Sequence, residues 1–358
     1  MELKDIFPVA IFVIALAVFF AINDYLISLI VLLVLLGIFA YIKRIDKRMV
    51  AATFIVFFIF SIGFFYYYSP SLYIAKGQGT VLSDNWFEAL NWVKDNTPEC
   101  TVVATYWDPG HFITGIADRP VVFDGATQNS ELYIDKDGHY LLDYDPEKVV
   151  AKRSRIQDIG TTLYTDNETE AMDILRYYKF ENCSDPMYYI ASNDLIFKSQ
   201  WWSYFSTWNT IDKGKKSTYA IINAGGQKPL LAYNVIATEF SVGDNQAFLL
   251  YQNQTSGEKK MLFQAGNQFL KIHRFIYIDS QGYMKMQTED DFQVPGTAMI
   301  LPGDSQLIYM PPELENSMFT RMFIFRGQGL ENFEYVKNWG GEVILYRVNF
   351  PEMKKRQL

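Results

Sequence analysis

The stretch Thr101-Val102-Val103-Ala104-Thr105-Tyr106 alternates in β-branched and small apolar residues, then meets Trp107-Asp108-Pro109-Gly110. A period of two in such residues reads as a β-strand. Pro109 removes a backbone donor and fixes φ, while Gly110 permits a tight reversal, so the strand ends there. Working outward, Ser83 and Asp84 can cap a helix running to about Lys94, with Trp86, Phe87, Leu90 and Val93 on one face. Val121 to Phe123 reads as a second short strand. Asn167 caps a further helix that carries Ala171, Ile174, Leu175 and Tyr178, and Tyr188 to Ala191 reads as another strand. Strand and helix alternate through this part, which predicts an α/β layer.

The composition changes after Lys213 to Lys216. From Ala220 to Leu307 the chain is made of short β-rich runs, among them Gln246 to Gln252, Lys259 to Gln264 and Phe269 to Ile278, separated by Gly, Asn and Asp. That pattern predicts a small sandwich or barrel. Ser317 to Arg326 reads as helix or strand, and Glu342 to Val348 as a closing strand.

On the N-terminal side, Ile6 to Ile22, Tyr25 to Ile42 and Val50 to Tyr67 are three almost uncharged runs. At about 17 residues and ~1.5 Å per residue, each approaches the ~30 Å hydrocarbon core of a bilayer. Lys43, Arg44, Lys47 and Arg48 crowd the second joint, whereas Asn23-Asp24 at the first carries no cation. The positive-inside rule then places the N-terminus in the cytoplasm and everything after Tyr68 outside. The expected fold class is an α-helical transmembrane anchor of three spans, plus an extracytoplasmic α/β core domain with an appended β-rich sandwich or barrel subdomain. The expected boundaries are 1–68 for the spans, 69–216 for the α/β core, 217–310 for the β-rich domain and 311–358 for a C-terminal segment closing the core. The expected location is the cell membrane, multi-pass, with the bilayer itself as a partner.

The chain has 358 residues and a net charge of -8, with no basic stripe, which argues against a nucleic-acid partner. Cys100 and Cys183 are compatible with one extracytoplasmic disulfide or with two buried thiols. Three acceptor sequons begin at Asn167, Asn182 and Asn253 and agree with an external location. His111, His139 and His273 have no His or Cys partners at zinc-ligand spacing. Asp135, Asp137, Asp143 and Asp145 supply oxygen ligands of the kind calcium takes, though a solvated acidic loop is the plainer reading.

Tyr106 to His111 is the segment with the most chemistry. Aromatic walls beside a carboxylate acceptor suit a small hydroxyl group that carries a methyl. The same residues also fit a buried Trp next to an Asp that caps a turn. A resemblance bears on the choice. Asn85-Trp86-Phe87-Glu88-Ala89-Leu90-Asn91-Trp92, Asn96-Thr97-Pro98 and then Tyr106 to Gly110 are similar to the C-terminal region of the oligosaccharyltransferase catalytic subunit family, its archaeal members most of all. Tyr106-Trp107-Asp108-Pro109-Gly110 resembles that family's Trp-Trp-Asp-Tyr-Gly hallmark with two replacements. The resemblance extends through Leu163 to Thr169, Asp173 to Arg176, Ser192 to Lys198, Trp201 to Phe205 and Asn316 to Arg321.

That resemblance implies that Tyr106, Trp107, Asp108 and Gly110 hold the Ser or Thr of an Asn-x-Ser/Thr sequon in an acceptor polypeptide. It makes Asp194, Ile196 and Lys198 candidates for the family's second pocket motif, although their spacing is not a clean match. The family's divalent ion, Mn or Mg, is bound in a long multispan N-terminal half, and Glu2, Asp5, Asp24 and Asp46 form no such site. The expectation is therefore no catalytic residue and no cofactor in this chain. It would be an acceptor-binding half of an oligosaccharyltransferase-like glycosyltransferase for N-glycosylation, inactive alone and working with a multispan catalytic partner. The alternative is a non-catalytic, membrane-anchored peptide-binding or accessory protein of the same descent.

Overall fold

In the computed structural model, residues 82–351 are described, except 128–130, 137–139, 142–144, 231–233 and 280, together with Arg48, Ser71 and Tyr73. Helix α1 (Asp84–Asn96) starts where the sequence places it, with the Ser83 side chain accepting from the Trp86 amide. Its buried stripe is Trp86, Ala89, Leu90 and Val93. Phe87 lies about 100° from Trp86 around the axis and is exposed. At the far end the buried Arg119 guanidinium donates to the carbonyls of Lys94 (2.6 Å) and Thr97 (2.5 Å), satisfying acceptors that a helix C-terminus leaves open.

Strand β1 (Val102–Ala104) follows, then the short helix α2 (Gly110–Phe112) and a π-helical turn at Ile113–Ala117. Strands β2 (Glu131–Ile134), β3 (Tyr140–Leu141) and β4 (Ala151–Ser154) form a small sheet in the order β3-β2-β4. Helices α3 (Arg155–Tyr164) and α4 (Glu168–Arg176) lead to β5 (Met187–Ser192), α5 (Asp194–Phe197) and α6 (Ser199–Ser206). Strands β1 and β5 pair in parallel, and the sheet is completed by two strands from the end of the chain, as set out below.

The β-rich part runs from β6 (Ala220–Asn223) through β7 (Gly226–Leu230), β8 (Val235–Gly243), β9 (Gln246–Asn253), β10 (Lys259–Ala265), β11 (Gln268–Ile278), β12 (Met284–Thr288) and β13 (Val294–Ile300) to β14 (Gln306–Met310). Strand order along the main path is β6-β14-β13-β11-β10-β9-β8-β7, with β12 paired on β11. The two ends of that path are consecutive in the chain. β6 pairs with β14 and β7 with β8, so the single segment 220–230 supplies both ends of the path. Phe240, Phe248, Leu250, Phe275, Ile300 and Leu307 fill the core of this part.

A second π-helical turn, Thr320–Ile324, precedes β15 (Phe333–Trp339) and β16 (Val343–Val348), which complete the first sheet in the order β1-β5-β16-β15. Alternate side chains of this sheet divide between two cores. Val102, Ala104, Met187, Tyr189, Ile344 and Tyr346 pack with α3, α4 and α6, whereas Val103, Tyr188, Ile190, Val343 and Leu345 pack with α1 and the first π turn. Every residue of β5 is buried, as a central strand covered on both faces must be. The first core also takes in Tyr219, Met299, Ile308 and Met310, so the large sheet is packed directly onto it. Trp202 is the pivot of that junction: fully buried, it donates from Nε1 to the Leu195 carbonyl (2.9 Å) and packs on Tyr219 and Phe319. Cys100 and Cys183 are joined in a disulfide, which decides the choice left open by the sequence.

The fold class expected from the sequence, a three-span transmembrane anchor carrying an α/β core, requires correction. Among the described residues no helix is long and apolar enough to cross a membrane. The longest, α1, has 13 residues and carries Asp84, Glu88, Lys94 and Asp95. At ~1.5 Å per residue it reaches about 20 Å, short of a ~30 Å core. The runs Ile6 to Ile22, Tyr25 to Ile42 and Val50 to Tyr67 lie outside the described residues. What the described residues form is mainly a β-rich domain, with sixteen strands in three sheets.

Candidate functional site

Because β1 and β5 are parallel, their C-terminal ends lie side by side, which is where open sheets of this kind place ligand sites. Asp108 stands in the turn after β1, and Asp194 opens α5 directly after β5. Lys198, one helical turn beyond Asp194, reaches both. Its Nζ donates to Asp194 Oδ2 at 2.6 Å and lies 2.8 Å from Asp108 Oδ2. The second approach is close but out of line for a hydrogen bond, and the buried Oδ2 of Asp108 has no directed donor. Ser192 donates its hydroxyl to the other oxygen of Asp194. Burial opposes the charge on Lys198, but the carboxylates of Asp194 and Asp108 outweigh it and hold the ammonium above its ordinary range. The three side chains remain about a third exposed, so the cluster opens to solvent.

The residues named from the sequence divide by depth. Trp107 is half-buried beside Asp108 and packs on the first core. Tyr106 continues the alternation of Val102 and Ala104, so its ring points inward, edge-on to Phe123 and 1% exposed. Burial, with a smaller contribution from the Asp108 charge, pushes the Tyr106 phenol far up against a hydrogen bond from Trp107. Ile196 is likewise in the core. Tyr106 and Ile196 thus lie in the core, while Asp108, Asp194 and Lys198 meet nearer the surface and Trp107 adjoins Asp108 in the chain. Gly110 acts through space rather than through a special φ. A Cβ there would stand 2.7 Å from both the Phe123 carbonyl oxygen and Asp124 Cβ, so only glycine lets the turn after β1 sit against the 123–124 loop.

Asp124 escaped the sequence reading. Its carboxylate accepts from the amides of Ala126 and Thr127 and from the Thr127 hydroxyl, and His111 Nδ1 approaches at 3.7 Å. Burial works against the charge, but the Thr127 hydrogen bonds prevail and hold this carboxyl below the usual range. The Asp124-Gly125 pair was the available turn signal. Ser192 had no such signal. A cavity of about 440 Å³ lies elsewhere, lined by Tyr164, Thr165, Asp166, Glu170 and Glu313 among others, and none of the seven residues named from the sequence reaches it. The divalent ion implied by the resemblance finds no donor set: among the described residues no group of three or more His, Cys, Asp or Glu side chains is placed to hold a metal.

Comparison with known proteins sets this chain beside glycosyltransferases. More particularly, it is similar to dolichyl-phosphooligosaccharide-protein glycotransferases, and the resemblance to the oligosaccharyltransferase catalytic subunit stands. The protein of that description from Methanocaldococcus jannaschii is 27% identical over 168 residues, 47% of this chain and 14% of the relative. That from Methanococcus voltae is 46% identical over 48 residues, 13% of this chain and 5% of the relative. Glycotransferase 2 from Pyrococcus furiosus is 23% identical over 295 residues, 74% of this chain and 37% of the relative. The chain therefore spans well under half the length of these relatives. Among solved structures, the C-terminal domain of C. jejuni PglB aligns with a TM-score of 0.43 at 14% identity, covering 73% of this chain and 98% of that domain. No family-level profile matches the chain.

Proposed function

We propose that this domain binds the acceptor polypeptide in protein N-glycosylation, gripping the Ser or Thr hydroxyl of an Asn-x-Ser/Thr sequon between Asp108 and Lys198. One observation carries the reading: Asp108 and the Asp194–Lys198 pair, far apart in sequence, converge at the ends of two parallel strands around a carboxylate oxygen without a directed donor. A hydroxyl is both donor and acceptor. It donates to Asp108 and accepts one of the ammonium protons that Lys198 does not spend on Asp194. The Trp107 ring then lies beside the threonine methyl. Asp194, with Ser192 behind it, orients the ammonium. The Cys100–Cys183 disulfide accords with an oxidising, extracytoplasmic setting.

The test is binding of a fluorescent peptide containing Asn-x-Thr to the full chain, against the same peptide with Ala at +2. Losing a hydroxyl bonded to a charged group costs about 1.5–3 kcal/mol, so the threonine peptide should bind roughly ten- to hundredfold tighter. Trp107→Ala with Asp108→Ala should erase that preference while far-UV circular dichroism stays unchanged. An intact preference for Thr in the doubly substituted protein rules out this pocket.

A further inference from the structure

Helices α5 and α6 have a second face, turned away from the buried Trp202, Ser199 and Ser203. Phe197, Trp201, Tyr204 and Trp208 recur at intervals of four, three and four residues, which lines them along one side of a helical path. Phe197 is 68% exposed and Trp201 44%, and neighbouring Ile211, on the loop beyond α6, is 86% exposed. That loop folds back on the aromatic row. The Lys215 amide donates to Thr207 Oγ1 (2.7 Å) and the Ser217 amide to Ser203 Oγ (2.8 Å). Two lysines are thereby laid over the rings. Lys216 Nζ stands 4.3 Å from the Trp201 centroid and 5.9 Å from that of Tyr204, and Lys213 Nζ stands 5.0 Å from Trp208.

Large exposed aromatic side chains gathered in one patch mark a docking surface, and the charge says which kind. Residues 207–217 hold Lys213, Lys215 and Lys216 against one acid, Asp212, within a chain of net charge -8. Amphipathic rings with ammonium groups at their level are the chemistry of a bilayer interface, where the rings enter the headgroup region and the lysines meet anionic lipid. We propose that the face formed by Phe197, Trp201, Tyr204, Trp208 and Ile211 rests on an anionic lipid surface, with Lys213, Lys215 and Lys216 supplying its charge selectivity. The assignment stands apart from the peptide-binding reading, since neither Asp108 nor Lys198 takes part in it.

The chain's two cysteines are bonded to each other, so an introduced cysteine gives a unique label. The full chain carrying Ile211→Cys with an environment-sensitive fluorophore is titrated with phosphatidylcholine vesicles with and without 30% phosphatidylserine. A control carries the label at Asn267→Cys, on the exposed turn between β10 and β11. The emission at 211 should shift to the blue on anionic vesicles only, while position 267 stays water-like. Lys213→Glu with Lys216→Glu should weaken the response about tenfold or more. Three results overturn the proposal: no shift at 211 on either vesicle, equal shifts on neutral and anionic vesicles, or equal shifts at 211 and 267. The first would leave a protein surface as the occupant of this face.

Discussion

Two carboxylate clusters flank the same pair of parallel strands, and they differ in what they leave over. Near the disulfide, ahead of β5, Asp185 has both oxygens occupied: Tyr188 donates to Oδ2 at 2.7 Å and Arg347 to Oδ1 at 2.8 Å. At the opposite ends of the strands, Asp108 and Asp194 share one lysine, and Asp108 keeps a buried oxygen with no donor aimed at it. A carboxylate whose lone pairs are all engaged fastens the fold. One that is neutralised by charge but short of a directed donor can still accept one, which is what the proposed peptide pocket requires.

The largest expected effect comes from the fastening end. Cys100→Ser with Cys183→Ser opens a link spanning 83 positions. By chain entropy that should cost about 4 kcal/mol in urea unfolding. Asp185→Asn should follow at about 1–3 kcal/mol, with peptide affinity unchanged. Asp108→Asn should show the opposite pattern, with stability within about 0.5 kcal/mol of the parent and the Thr-over-Ala preference lost. If Asp108→Asn destabilised the protein as much as Asp185→Asn, the distinction between the two clusters would collapse. Gly110→Ala should cost about 1–3 kcal/mol because its Cβ meets the Phe123 carbonyl.

The smallest effect is an alkaline titration. Lys198 is held above its ordinary pKa, so its contribution is complete below about pH 10.4 and fades as pH rises through the raised folded value. Tyr188 is also raised, chiefly by burial and then by Asp185, and loses its contribution in the same direction. Comparing Lys198→Met and Tyr188→Phe with the parent across pH 9–11 should flatten the stability curve once at each cluster.

Much of the framework was legible because it is local. The Ser83 cap, the alternation of 102–106 and the Asn167 cap each depend on a few neighbouring residues. The same alternation already carried the inward direction of Tyr106, since 102, 104 and 106 share a face. The meeting of Asp108 with Lys198 was not legible from spacing, because the strand pairing that creates it joins residues far apart in the chain. It was reached through the resemblance alone. The role of Gly110 depends on a loop thirteen residues on, and no local pattern encodes that approach. The expected anchor went astray for another reason, being read from runs that lie outside the described residues.

The segment 220–230 has a consequence for solubility. β6 is paired only with β14 and β7 only with β8, so among the described strands each keeps an outer edge, and Pro229 puts a residue without an N–H into β7. Extended, unfolded polypeptide is the material most ready to add itself to such an edge. The brevity of β6 and β7, with four and five residues, limits how long a row they offer, and with it the seeding of aggregates.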